Sequence, residues 1–115
     1  MPDKISGLLP HSYQGLAELQ QQFDAYQKAG FPARGANFFC LELNGEAGEL
    51  ANLEKKVWKG RQVEPEQFED EAADVLIALL NYANARGVDL AQAVERKMNR
   101  IDEIRAKLAS QNQNY

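Results

Sequence analysis

The sequence predicts an all-α fold, an antiparallel bundle of four helices. Residues that favour strands are scarce, because the 115-residue chain has no Thr and only nine Val and Ile. Apolar residues recur at helical spacing, and all the prolines lie where helices would break, at Pro2, Pro10, Pro32 and Pro65. The length favours one domain over residues 1–115 with a polar tail at 110–115.

The first two helices are bounded by residues that favour helix ends. Ser12 is a candidate cap for a helix that runs to about residue 29 and stops at Gly30. After a loop, a second helix is predicted over about residues 36–59. Gly60 follows it as a C-terminal glycine, which can adopt the left-handed conformation that ends many helices.

The third and fourth helices have equally clear ends. Pro65 suits the first turn of a helix, and the third helix is predicted from there to about residue 86, before Gly87. Asp89 is a good N-cap for a fourth helix that reaches about residue 109. Each predicted helix is long enough to contribute one side of a bundle.

Charge and cysteine usage restrict the classes of partner. Thirteen Lys and Arg against seventeen Asp and Glu leave a net charge of −4, which gives no general attraction to nucleic acid or anionic membrane. Cys40 alone cannot form an internal disulfide. The longest apolar run, 75–80, is too short to span a membrane, and 5–10 is too short for a secretion signal. We expect a cytoplasmic protein that binds neither nucleic acid nor membrane.

The second helix places a carboxylate on its apolar face. At about 100° per residue, Glu46 lies in the middle of the apolar stripe, and Glu49 lies on its edge. The stripe consists of Phe39, Leu43, Leu50, Leu53 and Val57. A buried carboxylate without a partner is costly, so Glu46 needs a cation, a hydrogen-bond network or a proton. The other acidic residues of these helices can simply form a charged face in contact with water. This alternative fits Glu46 poorly, because Glu46 lies on the apolar stripe.

The third helix repeats this arrangement. Glu71 and Asp74 lie three residues apart, as do Glu46 and Glu49, so each pair occupies adjoining turns of one face. The same edge continues through Ala78 and Asn81. If the two helices pack antiparallel, four carboxylates converge in one cleft. Ligands that are all oxygen suit hard divalent cations such as Mg²⁺ or Mn²⁺.

The fourth helix brings a lysine onto its predicted inner stripe. Lys97 lies among Leu90, Val94, Ile101, Ile104 and Leu108. A cation directed inward would complement an acidic cleft or phosphate oxygens, although a long stem can also carry the charge to the surface. A basic cluster lies at the C-terminal end of the second helix, where the helix dipole also favours positive charge. It consists of Lys55, Lys56, Lys59 and Arg61.

These residues resemble the MazG-like all-α nucleoside triphosphate pyrophosphohydrolases, which include dimeric dUTPases and dCTP pyrophosphatase. The family signature, ExxE followed by ExxD, matches 46–49 and 71–74. The surroundings also fit, with GEAGEL at 45–50, KKVWKG at 55–60, DEAADVLIALLNYA at 70–83 and GVDL at 87–90. The resemblance spans a motif-bearing core of about 36–101 and implies a MazG-type fold.

The resemblance implies that Glu46, Glu49, Glu71 and Asp74 bind Mg²⁺, for which Mn²⁺ can substitute. Water would attack the α-phosphorus of a (deoxy)nucleoside triphosphate and release the monophosphate and pyrophosphate. Glu46 or Glu49 would orient that water, and Lys97 and Lys56 would hold phosphate oxygens. Many relatives carry Asn or Arg one turn after the fourth-helix Lys. That position is Ile101 here, so the candidate contact is Arg100.

The function that follows is a Mg²⁺-dependent nucleotide pyrophosphohydrolase that clears unwanted nucleotides. Phosphoribosyl-ATP pyrophosphohydrolase is a second enzyme class to consider, and a non-catalytic helical interaction module with a structural cation site is a third. Trp58 and Phe38 are candidates for stacking on the base, with core packing as the alternative for each.

The sequence also predicts self-association. The segment 75–80 is apolar on every side of its helix and therefore needs more cover than four helices provide. We expect a homodimer or a tetramer built from dimers, which the resemblance also implies.

Overall fold

The computed structural model describes residues 3–115, and within that range all the regular secondary structure is helical, with no strand. A short 3₁₀ helix precedes four α-helices. Their bounds are Ser6–Leu8 for the 3₁₀ helix, Gly15–Gly30 for α1, Ala36–Trp58 for α2, Pro65–Arg86 for α3 and Leu90–Ser110 for α4. The all-α prediction is confirmed. None of these helices combines the length and the apolar character needed to cross a membrane.

The start of α1 differs from the prediction. Ser12 is not the N-cap, because Gly15 has a φ of 85° and this left-handed conformation prevents a continuous helix through residues 12–15. Gln14 occupies the cap position instead, and its N–H donates to Glu18 Oε2 at 2.8 Å. The Ser12 carbonyl accepts from Gln22 Nε2 at 3.0 Å, which holds the preceding segment against α1.

The ends of α2 and α3 match the sequence chemistry. Gly60 and Gly87 both have left-handed φ angles, 83° and 76°, which a side chain would strain. Pro65 opens α3 within a capping box, in which the Glu64 side chain accepts from the Gln67 N–H and the Gln67 side chain accepts from the Glu64 N–H. The connection between the two helices is therefore short and ordered at both ends.

The turn from α3 to α4 is held by Gln20 of α1. Asp89 caps α4 as predicted, accepting from the Gln92 N–H at 3.2 Å. Gln20 is buried, and its amide bonds three groups around the turn: Val88 O at 2.6 Å, Asn84 Oδ1 at 3.0 Å and the Leu90 N–H at 3.0 Å. These bonds satisfy backbone groups that the turn leaves free, and they set the direction in which α4 leaves α3.

The central element is the antiparallel pair of α2 and α3, which share the largest interhelical interface. Three observations show which levels of the two helices lie side by side. One carboxylate oxygen of Glu49 lies within 4.8 Å of one of Glu71, and the charge of Asp74 raises the pKa of Glu46. Two turns further on, Phe39 and Asn81 line the same cavity. The acidic motifs therefore face each other at the level of residues 46–49 and 71–74. The buried apolar side chains are Phe23, Phe39, Leu53, Ala78, Leu80 and Ala83.

Helix α4 contacts α1 near its beginning and then leaves the rest of the chain. Among the described residues it forms no comparable interface with α2 or α3. Most of the stripe predicted to face inward is exposed, at Val94, Ile101 and Ile104, and Lys97 is exposed as well. Leu90 and Leu108, at the two ends of the stripe, are half-buried. The expectation that this stripe is covered within its own chain is therefore wrong for its middle part, from Val94 to Ile104. The turn held by Gln20 directs α4 away from the α2–α3 pair.

The chain is extended for its size as a result. Its radius of gyration is 18.0 Å, whereas a compact domain of this length has about 13 Å. Its accessible surface is 8976 Å², against about 6,300 Å² for a folded monomer of 12.9 kDa. About 2,700 Å² of surface is thus exposed beyond what a compact monomer of this mass shows.

Candidate metal centre

Three carboxylates meet between α2 and α3. Glu46 and Glu49 come from adjoining turns of α2 and Glu71 comes from α3, and one oxygen of each lies within 4.8 Å of the others. Asp74 follows Glu71 by one turn, and its charge acts on both Glu46 and Glu71. The structure therefore brings together three of the four predicted metal ligands and places the fourth beside them. These four residues are called the acid cluster below.

Two oxygens of the acid cluster are buried without a partner. Glu46 Oε2 and Glu71 Oε2 are shielded from solvent, and neither has a hydrogen-bond partner among residues 3–115. Buried polar atoms are nearly always bonded in folded proteins, since leaving them unpaired is costly. The pair lies on both sides of the cleft, one oxygen on each helix, which is where a shared cation would find its ligands.

The local electrostatics also favour a cation or a proton. Burial raises the pKa of Glu46, and the negative charges of Glu49 and Asp74 raise it further. Burial is also the main reason why the pKa of Glu71 is raised, followed by the nearby Glu49 carboxylate and the charge of Asp74. The ion pairs within residues 3–115 lie elsewhere, on α1 and α4, so no Lys or Arg neutralises the cluster. Hard divalent cations prefer such oxygen ligands, and the residues present fit one.

The predicted phosphate-binding residues do not contact the acid cluster in this chain. Lys97 and Arg100 are exposed on the part of α4 that leaves α2 and α3. Lys56 lies on α2 two turns beyond Glu49, also exposed. It contributes to a basic recess of about 320 Å³ at the C-terminal end of α2, which is formed by Asn52, Lys55, Lys56, Lys59 and Arg61.

The two aromatic candidates lie at opposite ends of α2. Trp58 is 87% exposed and therefore belongs to no core within this chain. Phe38 is half-exposed and carries the guanidinium of Arg34 at 4.6 Å from its ring centre. Twenty residues of helix separate them, about 30 Å at the rise of an α-helix. One chain cannot use both rings to hold the same base.

Asn81 is a polar residue inside the chain that was not among the site residues predicted from the sequence. Asn81 is only 7% exposed and lines a cavity together with Phe39, two turns after Asp74 on α3. The available signal was its position on the same edge of α3 as Glu71 and Asp74. An amide on an inward-facing edge needs a partner just as a carboxylate does.

The glycines of the first acidic motif have no close neighbours in this chain. A Cβ placed on Gly45 or Gly48 would meet no atom within 4 Å. A glycine inside a helix costs about 1 kcal/mol relative to alanine, which close packing or the approach of a ligand could offset. Packing within the chain does not explain Gly45 and Gly48. On the helical wheel both point away from α3, on the side of α2 that also carries the exposed Leu41. Closer approach of another molecule stays the remaining explanation.

Comparison with known proteins finds no match among protein-family models, curated proteins or solved structures. Function must therefore be argued from the site alone.

Proposed function

We propose that this chain is a divalent-cation-dependent nucleotide pyrophosphohydrolase of the MazG type, which cleaves a (deoxy)nucleoside triphosphate to the monophosphate and pyrophosphate. The observation that carries the proposal is the acid cluster, with one orphaned carboxylate oxygen on each of two facing helices. The two motifs that resemble the family signature, 46–49 and 71–74, are the segments that supply it. Structural carboxylates on a solvated face would not be buried unpaired.

The cation site would use Glu46, Glu49, Glu71 and Asp74, with Mg²⁺ as the natural ion and Mn²⁺ as a substitute. When bound, the cation would neutralise the triphosphate and lower the pKa of water. It would also relieve the repulsion among the four carboxylates that raises the pKa of Glu46 and Glu71. Because both helices supply carboxylate oxygens as ligands, the site needs no cysteine or histidine.

Glu49 is the residue that we assign to orienting the attacking water. Glu46 and Glu71 are half-buried, whereas Glu49 is exposed at the edge of the cluster and can reach solvent. The water oxygen would attack the α-phosphorus, a water proton would pass to the Glu49 carboxylate, and the bond from the α-phosphorus to the bridging oxygen would break. Pyrophosphate then leaves with the electron pair of that bond.

The basic recess at the end of α2 suits the departing phosphates. It lies beyond Glu49 in the direction of the helix C-terminus, and Lys56 follows Glu49 by two turns on the same face of α2. Lysine ammonium groups there can neutralise charge that develops on the leaving pyrophosphate. Lys97 and Arg100 keep a proposed part in phosphate binding, but α4 would have to bring them from a second copy of the chain.

We further propose that a second copy covers the exposed part of α4, giving a homodimer or a tetramer of dimers. The excess surface of about 2,700 Å² per chain amounts to about 5,400 Å² for two chains, at the upper end of the roughly 2,000–5,000 Å² that permanent dimers bury in total. The α4 surface also carries charges of both signs, at Glu95, Arg96, Arg100 and Glu103, so two such helices can complement each other. The open faces of Gly45 and Gly48 allow close approach.

The assembly prediction is a solution mass that is a multiple of 12.9 kDa at micromolar concentration, measured by light scattering. Ile101→Lys with Ile104→Lys should shift the mass to one chain, because both side chains belong to the exposed stripe of α4. Leu8→Lys with Leu9→Lys is the matched control, since these leucines are also exposed but lie in the 3₁₀ segment, and it should keep the assembly. A wild-type mass of one chain would overturn the proposal.

The proposed activity is tested by pyrophosphate release from a panel of triphosphates with Mg²⁺. We expect turnover of at least one ribo- or deoxynucleoside triphosphate, with monophosphate formed in equal amount, and none in EDTA. Turnover of phosphoribosyl-ATP alone would place the enzyme in histidine synthesis instead. No pyrophosphate from any substrate, with Mg²⁺ still raising the melting temperature, would indicate a non-catalytic module with a structural cation.

A further inference from the structure

The outer face of α3, on the side away from α2, changes from covered to bare within one turn. Leu76, Leu80 and Ala83 follow one another along this face at helical spacing. Leu80 and Ala83 are 2% and 0% exposed, because α1 packs on this end of α3, whereas Leu76 is 41% exposed. Ile77 is 42% exposed, and Ala73 is exposed as well. Ala73, Leu76 and Ile77 are called the α3 patch below.

The exposed stripe of α4 does not reach the α3 patch of its own chain. Helix α4 follows the C-terminal end of α3, and the patch lies more than two turns before that end. Helix α1 stands between them, because it contacts α3 at Ala83 and α4 at Val94. The turn held by Gln20 then directs α4 away from α3. Each chain therefore has a bare stripe and a bare patch that do not cover each other.

The two bare surfaces carry opposite charge. Helix α3 has five acidic residues and one basic residue, whereas α4 has five basic and three acidic residues. Asp70 borders the α3 patch, since it precedes Ala73 by three residues and Ile77 by seven. On α4, Lys97 lies on the stripe and Arg100 borders it, whereas the acidic members of the mixed-charge surface lie on the opposite side of the helix. A contact between the stripe and the patch therefore brings opposite charges together.

We propose that the α3 patch is the surface on which α4 of a second copy docks, with its apolar stripe on the patch and its basic edge beside Asp70. The inference rests on the assembly put forward under the proposed function, and it names the surface that the second copy supplies. It depends on no catalytic step. Asp74 follows Asp70 by one turn, so the docked helix lies beside the acid cluster, where the proposed part of Lys97 and Arg100 requires it.

A second copy is the occupant because it offers the complementary surface in equal number. Each chain gives one stripe and receives the other, so two identical contacts close a dimer with two-fold symmetry. Two stripes packed on each other would instead face Lys97 and Arg100 with like charges. The excess surface of about 2,700 Å² per chain is ample for both contacts, since a standard stable interface needs about 800 Å² from each partner.

The main test uses two variants that each lose one half of the contact. Leu76→Lys with Ile77→Lys charges the α3 patch and leaves the α4 stripe intact, and Ile101→Lys with Ile104→Lys does the reverse. Light scattering at micromolar concentration should give each variant alone the mass of one chain. An equimolar mixture should form a two-chain species, because the stripe of the first variant fits the patch of the second. Its dissociation constant should exceed that of wild type at least about tenfold, since one of the two contacts is lost.

A milder variant tests the charge pairing without placing charge in an apolar surface. Asp70 is exposed, so Asp70→Lys should fold normally and yet raise the dissociation constant of the assembly at least about tenfold at low salt. High salt should reduce this difference, because it screens exposed charges. Glu54→Lys makes the same reversal on α2 away from the patch and is the matched control, which should assemble as wild type.

The outcomes separate this inference from the proposals on which it builds. Circular dichroism should show wild-type helix content in both double variants, since all four side chains are partly exposed. If Leu76→Lys with Ile77→Lys keeps the wild-type mass, as it would if two α4 stripes packed together, the inference fails and the proposed assembly stands. The inference also fails if the two double variants do not combine or if Asp70→Lys assembles as wild type. A wild-type mass of one chain overturns both, whatever the pyrophosphate assay shows.

Discussion

Glu49→Gln and Asp74→Asn should each abolish pyrophosphate release almost completely while leaving the fold intact. Both substitutions keep the shape of the side chain and remove the negative charge that a divalent cation needs. For a ligand that also orients the attacking water, as proposed for Glu49, we expect a loss of about two or more orders of magnitude in kcat/KM. Excess Mg²⁺ or Mn²⁺ should restore only part of the activity, because the lost charge also affects the water.

The fold of these variants can be checked independently of activity. Both residues are exposed, and their charges raise the pKa of Glu46 and Glu71. Removing either charge therefore lowers repulsion in the metal-free protein, and its melting temperature in EDTA should not fall. Glu54→Gln and Glu69→Gln are matched controls on the same two helices but away from the groove, and they should be fully active. Normal turnover in Glu49→Gln or Asp74→Asn would remove that residue from the site.

The parts of the fold that the sequence predicts well are set by local chemistry. Gly60 and Gly87 end helices because their left-handed φ angles are strained in any residue with a side chain. Asp89 caps α4 through a bond three residues away. Such features involve neighbours in the chain. The convergence of Glu46 and Glu71 needed only one further assumption, that α2 and α3 are antiparallel.

The direction in which α4 leaves α3 could not be predicted from such local features. Periodicity shows that Ile101 and Ile104 share one apolar face, but it does not show whether that face is covered by the same chain or by another. The direction depends on Gln20, which lies about seventy residues earlier in the sequence and satisfies the backbone at Val88 and Leu90. A polar residue that is buried to serve a distant turn has no periodic signal.

The candidate site likewise has a part that local sequence patterns predict and a part that depends on distant contacts. The acidic motifs could be predicted because a carboxylate on the apolar face of a helix is withdrawn from the water that would otherwise solvate it. The cavity beside Phe39 and Asn81 could not, since its walls come from α1, a loop, α2 and α3 and exist only once these are packed. Trp58 was a candidate either for stacking on a base or for core packing; it is 87% exposed, so it packs in no core of this chain, and stacking stays a prediction.

Glu46→Leu should be inactive and yet more stable than wild type when no cation is present. The substitution restores an apolar residue between Phe39 and Leu53 on the stripe of α2 and removes an oxygen that is buried without a partner. It also removes one charge that repels Glu71. We therefore expect a higher melting temperature than wild type in EDTA at neutral pH. Mg²⁺ should raise the melting temperature of wild type and raise that of the variant less.

The difference in melting temperature between Glu46→Leu and wild type in EDTA should increase as the pH rises. The pKa of Glu46 is raised in the folded protein above its ordinary value of 4.5, so the folded state binds the proton more tightly than the unfolded state. This contribution to stability is present below pH 4.5 and is lost as the pH rises through the raised pKa. In EDTA, the advantage of Glu46→Leu over wild type should therefore be small in acid and grow toward neutral pH. Glu54→Leu, at an exposed position of α2, should show no such growth. If Glu46→Leu melts below wild type in EDTA at neutral pH, or still hydrolyses triphosphates, Glu46 does not occupy an apolar position for the sake of a cation.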